Sequence, residues 1–508
     1  MDHLDELLPV RDSAPDQPGG RRITRRTALT AVLAGGLGVA GVGAASAYGL
    51  LHAPSAKPLD RGAIARVEAG RRRSGTTTAV SLTARRAEVD LGGRVVTAMT
   101  YGGDLPGRLV RATAGDLLQV DVRNELDQPT SVHWHGLAIR NDMDGVPGVT
   151  TAQVEAGRSA RYEFVVPDPG TYWFHPHSGL QLDWGLYAPL IIDSPTEPGG
   201  YDLELAVLLD DWSPGLGDTP EQLLAGLQAG GGTMAMGGMS GMGGMSDTGD
   251  VSYPAYLANG RMATDATRLN AKPGQRIRLR IINAAADTTF DVAVTGHRMT
   301  VTHTDGFPVR EVAVDTLRLA MGERYDAIIT LGDGAFPVVA VPVGKAGTPA
   351  RILLRTGSGT TPGIDVRPAE LTGRRLELSD LTADISVRLP EGDPDTEQDV
   401  VLAGDMRSYR WTINGRSYDD TVPLTVRQGQ TTRLRIVNRS MMIHPVHLHG
   451  HTFALRTTGR PRKDTVLVPS MGRIDVDLVA DNPGRWMLHC HNAFHMEAGM
   501  MTRLEYTT

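Results

Sequence analysis

The sequence predicts an all-β protein made of three consecutive β-sandwich domains. A strand-like segment repeated three times, a high density of turn residues and little helical periodicity predict it. The repeat runs from a glycine to an asparagine at 115–124 (GDLLQVDVRN), 274–283 (GQRIRLRIIN) and 429–438 (GQTTRLRIVN). Inside it apolar and polar residues alternate, as in Ile277-Arg278-Leu279-Arg280-Ile281, which is the period of a strand with one face on a core. The 60 Gly and 31 Pro cut the chain into short strands.

Self-similarity at fixed offsets is the mark of duplicated units. The last two copies also agree upstream, where Asn259-Gly260-Arg261 and Asn414-Gly415-Arg416 stand equally far from the repeat glycine. The first and third share another register, Pro169-Gly170-Thr171-Tyr172-Trp173-Phe174-His175 against Pro483-Gly484-Arg485-Trp486-Met487-Leu488-His489. Units are therefore expected at 78–197, 201–360 and 372–508, a division that suits 508 residues. Within the second unit, 233–246 (TMAMGGMSGMGGMS) breaks every periodicity and reads as a glycine-rich loop.

Ahead of these units, Arg21, Arg22, Arg25 and Arg26 precede an uncharged stretch rich in Ala, Gly and Val, followed by Ala45-Ser46-Ala47. That is a signal-peptide layout over 1–47. Its Thr24-Arg25-Arg26-Thr27-Ala28-Leu29 core resembles a twin-arginine signal, so the chain is expected to cross the cytoplasmic membrane already folded and to work in the periplasm, in the cell envelope or outside. Residues 48–77 are expected to be a linker. No later apolar run is long enough for a transmembrane segment in the mature chain, and a net charge of −7 gives no footprint for nucleic acid.

Ten of the 15 histidines fall in four clusters: His133-Trp134-His135, His175-Pro176-His177, His444-Pro445-Val446-His447-Leu448-His449, and His489-Cys490-His491 followed by His495. On a strand, residues i and i+2 share a face, so each His-x-His pair can turn two imidazoles toward a shared metal site. His133 and His447 lie at one offset from their repeat asparagine, and His135 and His449 at another; the second unit has Val292 and Val294 there. The middle domain should therefore be metal-free, with one histidine-only site between the first and third domains.

Cys490 is the only cysteine, which excludes a disulfide within the chain. The alternation that sends His489 and His491 one way sends Cys490 the other, and His444, an odd number of residues from His447, should face it. One Cys, two His and a weak Met form the ligand set of a blue copper electron-transfer site; zinc, which has no redox chemistry, fits poorly. A blue site joined to a histidine cluster is a layout for pooling single electrons until dioxygen is fully reduced.

HWHG, HPHSG, HPVHLHG and HCHNAFHMEAGM resemble the four copper signatures of the multicopper oxidases, and the resemblance runs from about residue 78 to the end. It is nearest to the bacterial three-domain, laccase-like enzymes of copper tolerance, and it implies Greek-key cupredoxin-like sandwiches. By that resemblance His444, Cys490 and His495 hold type 1 copper with Met500 axial. His133 and His447 hold type 2 copper, and His135, His175, His177, His449, His489 and His491 hold the type 3 pair, four copper ions per chain. Asp144 matches an acid that assists proton delivery to reduced oxygen. Similar enzymes often carry an acid directly after the last type 1 histidine; here Met496 follows His495, and Glu497 is assigned no role.

The implied activity is one-electron oxidation of a reductant, cuprous ion or a phenolic compound, coupled to four-electron reduction of dioxygen to water. Thioethers bind cuprous ion, so Met234, Met236, Met239, Met242 and Met245 are candidate cuprous ligands, against a plain flexible loop. An exported copper-sequestering protein and a copper nitrite reductase are the alternatives. His3, His52, His297, His303 and His451 lack pair spacing and read as surface or sheet histidines.

Overall fold

The three repeated segments occupy one and the same place in three sheets. In the computed structural model, which describes residues 60–194, 197, 200–230 and 248–507, the strands Leu117–Asn124, Arg276–Asn283 and Thr431–Asn438 each pair in parallel with the first strand of their unit. Those first strands are Thr77–Asp90, Leu203–Trp212 and Thr396–Asp405, and on its other side each repeat strand pairs antiparallel with a later one. A second sheet faces each of these, giving pairs of four and four, six and five, and six and five strands. The protein is thus all-β, with three consecutive sandwiches.

The repeat glycine and asparagine play a common part in all three. Gly115, Gly274 and Gly429 enter the strand at positive φ (94°, 84° and 86°), where a side chain would be strained. Asn124, Asn283 and Asn438 are buried, and each closes the loop after the strand. Their Oδ1 atoms accept from the backbone N–H two residues on, at Leu126, Ala285 and Ser440, and their Nδ2 groups donate to two carbonyls. Asn283→Ala should cost about 1–3 kcal/mol, the penalty of leaving buried backbone groups unpaired. A fall in thermal unfolding midpoint without copper loss would be the sign, since this copy is far in sequence from every histidine pair.

Alternation in Arg276–Asn283 predicts one face toward water, and the structure differs. Arg278 and Arg280 are both 2% exposed, because Asp326 lies across them at 2.6 and 3.2 Å and accepts the Thr171 hydroxyl of the first sandwich at 2.7 Å. The charged face is an inter-sandwich contact with its charges compensated. The expected linker differs too from residue 60 onward: Arg61–Gly70 is a helix, N-capped by Asp60 and docked by buried Glu68 on the backbone N–H of Val165.

Apolar packing runs without a break from the second sandwich into the third, taking in Cys490 and Met500, whereas the first has its own core around Trp134, Phe164 and Phe174. Cys490 and Met500 thus sit inside a packed core rather than at a surface.

Candidate metal centres

The histidine pairs lie where strands end. His133 faces His175 across the strands His133–His135 and Gly170–His175, and His447 faces His489 across His444–Leu448 and Arg485–Cys490. The first and third sandwiches therefore present the same arrangement to each other. His177, His449 and His491 fall just past the strand ends, so the pairs divide instead of pointing together: ring nitrogens of His135, His175 and His491 gather in one triad and those of His177, His449 and His489 in another. His133 and His447 complete the cluster, with centroids 5.8 Å apart.

Cys490 joins a separate group. Its Sγ lies 3.6 Å from His444 Nδ1 and 3.7 Å from His495 Nδ1, and those two nitrogens are 3.1 Å apart. The neighbours on either side of the sulfur, His489 and His491, belong one to each triad. His495 stands on the helix Ala493–Glu497, capped by Asn492, and its outer Nε2 donates to Asp250 at 2.8 Å; His444 Nε2 is 2.7 Å from the Ser440 hydroxyl. Buried Met500 has its carbonyl on Cys490 N–H and its N–H on the His495 carbonyl. Trp411 lies over the His495 ring at 4.0 Å.

Two buried carboxylates serve the histidine cluster in mirrored fashion. Asp144, of the first sandwich, takes His133 Nδ1–H on its carbonyl at 2.9 Å and reaches across to His449 Nδ1 with Oδ2 at 3.0 Å. Asp464, of the third, takes His447 Nδ1–H on its carbonyl at 3.0 Å and reaches across to His135 Nε2 with Oδ1 at 3.3 Å. The rings so addressed stack in crossed pairs, His133 on His449 at 3.7 Å and His135 on His447 at 3.8 Å. Gly145 permits the approach of Asp144, since a Cβ there would overlap the Val132 carbonyl.

These bonds decide which nitrogens carry lone pairs. A carbonyl can only accept, so the outer nitrogens of His133, His175, His447 and His489 are N–H donors and their Nε2 atoms are bare. Nε2 of His133, His175, His177 and His447, Nδ1 of His135 and both nitrogens of His491 are buried without a partner, and Nε2 of His449 and His489 oppose each other at 3.0 Å. Burial first, then neighbouring imidazoles, hold His175, His177, His449 and His491 well below the ordinary histidine range, so these rings stay neutral. Buried lone pairs that converge without a protein partner are an arrangement that a bound cation satisfies. Imidazole with one thiolate is a donor set for copper. At His495, burial works against a positive ring but the Asp250 carboxylate outweighs it and pushes the group up to about 10, the preference a cation at Nδ1 would also meet.

All thirteen expected residues other than the loop methionines are therefore in or beside these groups. The five loop methionines lie outside the described residues, as do His3 and His52. His297, His303 and His451 join no donor group; His451 is buried, its Nε2 2.7 Å from the Tyr506 hydroxyl, and Glu497 is exposed. Among the described residues the second sandwich holds no donor group of its own, and Val292 and Val294 are core. Sequence reasoning missed Asp464, Asp250 and Ser440.

Profiles described as multicopper oxidase match residues 83–197, 204–358 and 392–508. The chain is 49% identical to "Multicopper oxidase MmcO" of Mycobacterium tuberculosis over 92% of its own length and 96% of that protein's. It is 30% identical to "Copper resistance protein A homolog" of Pseudomonas syringae pv. tomato, covering 83% and 91%. Among solved structures it is similar to a laccase from Botrytis aclada, with TM-score 0.71, 25% identity and 86% and 90% coverage. Fet3p, described as a multicopper oxidase that functions in iron import, shares the fold at TM-score 0.73 and 21% identity, over 85% and 90%.

Proposed function

Because this chain belongs to the multicopper oxidase family, we propose that its two donor groups hold four copper ions in separate roles. His444, Cys490 and His495 would hold the type 1 copper, with Met500 as a further, weak donor. His133 and His447 hold type 2 copper, and His135, His175, His177, His449, His489 and His491 hold the type 3 pair. Two separate triads of ring nitrogens, His135 with His175 and His491 and His177 with His449 and His489, and the grouping of His133 with His447 beside His135 support this assignment.

The chain is a copper-dependent oxidoreductase that passes electrons from a reductant to dioxygen. Bound copper supplies the one-electron redox steps, with electrons entering at the type 1 site and dioxygen reduced at the cluster. The protein's own part is to hold the two sites on adjacent residues of one strand, to keep His175, His177, His449 and His491 buried and neutral, and to bring protons. Asp144 brings them. Its Oδ2 is engaged by His449 at 3.0 Å and its Oδ1 lies buried 3.3 Å from His133 Nδ1, so the carboxyl stands against the cluster where protons are consumed. Met496 lines the small cavity beside His175, His489 and His491, so no acid stands there to share that work.

Cuprous ion is the proposed physiological reductant, phenols being accepted as well, and copper tolerance the purpose. The name of the Pseudomonas relative supports this, and so does chain continuity: the methionine-rich stretch ends a few residues before Asp250, which is bonded to His495. Oxygen consumption with cuprous ion, ferrous ion and a phenol in parallel tests it, cuprous ion giving the highest kcat/KM. Deleting 233–246 should lower cuprous kcat/KM while phenol oxidation is kept; equal effects on both would reject a role for the loop.

Export by the twin-arginine signal is proposed as well, that segment lying outside the described residues. Among the described residues no helix is long and apolar enough to cross a membrane. Sequencing the mature N-terminus from secreted or envelope fractions should find it near residue 48.

A further inference from the structure

We propose that Arg324, of the second sandwich, is a positioning residue for the histidine cluster: its guanidinium fork pins Asp464, which fixes the nitrogens that His135 and His447 turn inward. The inference rests on the reading that these histidines hold copper.

Arg324 is fully buried and touches all three sandwiches. It grips both Asp464 oxygens at 2.7 Å, donates through Nε to the Thr171 carbonyl of the first sandwich at 3.1 Å, and donates to the Gly322 carbonyl of its own at 3.1 Å. The second sandwich holds the same segment from the other side. Asp305 accepts the backbone N–H groups of Asp464 and Thr465 at 3.3 and 3.1 Å and pairs with Lys463 at 3.1 Å.

Asp464 thus has no freedom to rotate, and neither has what it bonds. Its Oδ1 and the Thr465 hydroxyl stand 3.3 and 3.2 Å from His135 Nε2, while its carbonyl and the same hydroxyl stand 3.0 and 3.1 Å from His447 Nδ1. His135 is therefore left with Nδ1 bare and His447 with Nε2, opposite nitrogens of two stacked rings. The fixed carboxylate imposes that choice at His135, and the carbonyl of the same pinned residue, with the hydroxyl whose proton the carboxylate takes, imposes it at His447.

Asp144 makes the comparison. It does the mirrored job for His133 and His449, and its two oxygens meet histidine rings at 3.3 and 3.0 Å, whereas both oxygens of Asp464 are gripped by the Arg324 fork. Asp464 is the acid that the second sandwich holds in one orientation. The glycines agree, because a Cβ at Gly136 would collide with Arg324 and Asp464, and one at Gly322 would reach His135 and His491 at 3.0 Å. The turn carrying Arg324 is pressed directly on the cluster.

The test compares Arg324→Met, Arg324→Lys and the near-isosteric Asp464→Asn in the copper-loaded, full-length protein, with Arg278→Met as a control for a buried cation of the second sandwich that pairs with Asp326 rather than with Asp464. Arg324→Met and Asp464→Asn are expected to change or lose the type 2 electron paramagnetic resonance signal and to lower copper affinity of the cluster by ~10–100-fold, the usual effect of removing a ligand's orienting partner. The blue absorption of the Cys490 site should persist. Arg324→Lys should restore copper content but not the full wild-type spectrum, because an ammonium lacks the fork. Arg278→Met should lower the unfolding midpoint with both copper signals unchanged. Wild-type type 2 spectra in Arg324→Met or Asp464→Asn would overturn the proposal; so would joint loss of both copper signals in Arg324→Met and in Arg278→Met, which would make Arg324 structural cement only. A wild-type protein with no type 2 signal would instead sink the copper-site reading beneath it.

Discussion

Replacing Cys490 by Ser is expected to abolish the blue absorption and to slow oxygen consumption with any reductant by at least ~10³-fold, more than ~4 kcal/mol of barrier. The reason is geometric. The sulfur is the sole thiolate, it meets His444 and His495 at 3.6 and 3.7 Å, and its neighbours in sequence belong to the other site, so one substitution removes both the soft ligand and the covalent link between sites. Copper should fall by about one ion per chain, with the cluster signals retained, because none of the triad rings bonds to the Cys490 side chain. Metal analysis and paramagnetic resonance on the same sample check this; loss of all copper together would mean that the two groups are one site.

Asp144→Asn should give the second largest effect, a fall in kcat of ~10²–10⁴-fold, the range for losing a positioned proton donor. Asparagine keeps an oxygen to accept from His449 and so keeps that ring in place, but the amide nitrogen that replaces the second oxygen neither releases nor takes up a proton. Electron entry is a separate matter. Anaerobic bleaching of the blue band by a reductant should proceed at the wild-type rate, and the copper content should be unchanged. Normal turnover in this variant would remove Asp144 from proton delivery.

What could be read from the sequence shares one property: it repeats, or lies within a few residues of itself. The Gly-to-Asn strands, the asparagine-glycine turns and the His-x-His pairs are local patterns whose spacing a strand dictates. Asn259 and Asn414 hold the same φ, 51° and 52°, as their shared context suggested. The polar face of Arg276–Asn283 was misleading because alternation reports a strand with two faces but cannot say whether the polar one meets water or Asp326.

The orienting groups left no such pattern. Asp464 is a lone acid between Lys463 and Thr465, Asp250 follows a low-complexity stretch, and Arg324 is one arginine among many. Their partners are distant in sequence, Asp464 standing 140 residues from Arg324 and Asp250 standing 245 from His495. Even the mirror relation of the two acids was hidden, since Asp144 follows His133 by 11 residues and Asp464 follows His447 by 17. An unequal loop removed the offset that exposed the histidines.

Crystallographic anomalous scattering at the copper absorption edge tests most directly that Cys490 and its two flanking histidines serve different sites. One copper bonded to Cys490 Sγ, His444 and His495 is expected, and three more enclosed by imidazoles, with His489 and His491 each on a different ion. A single peak shared by the sulfur and either flanking ring would contradict it.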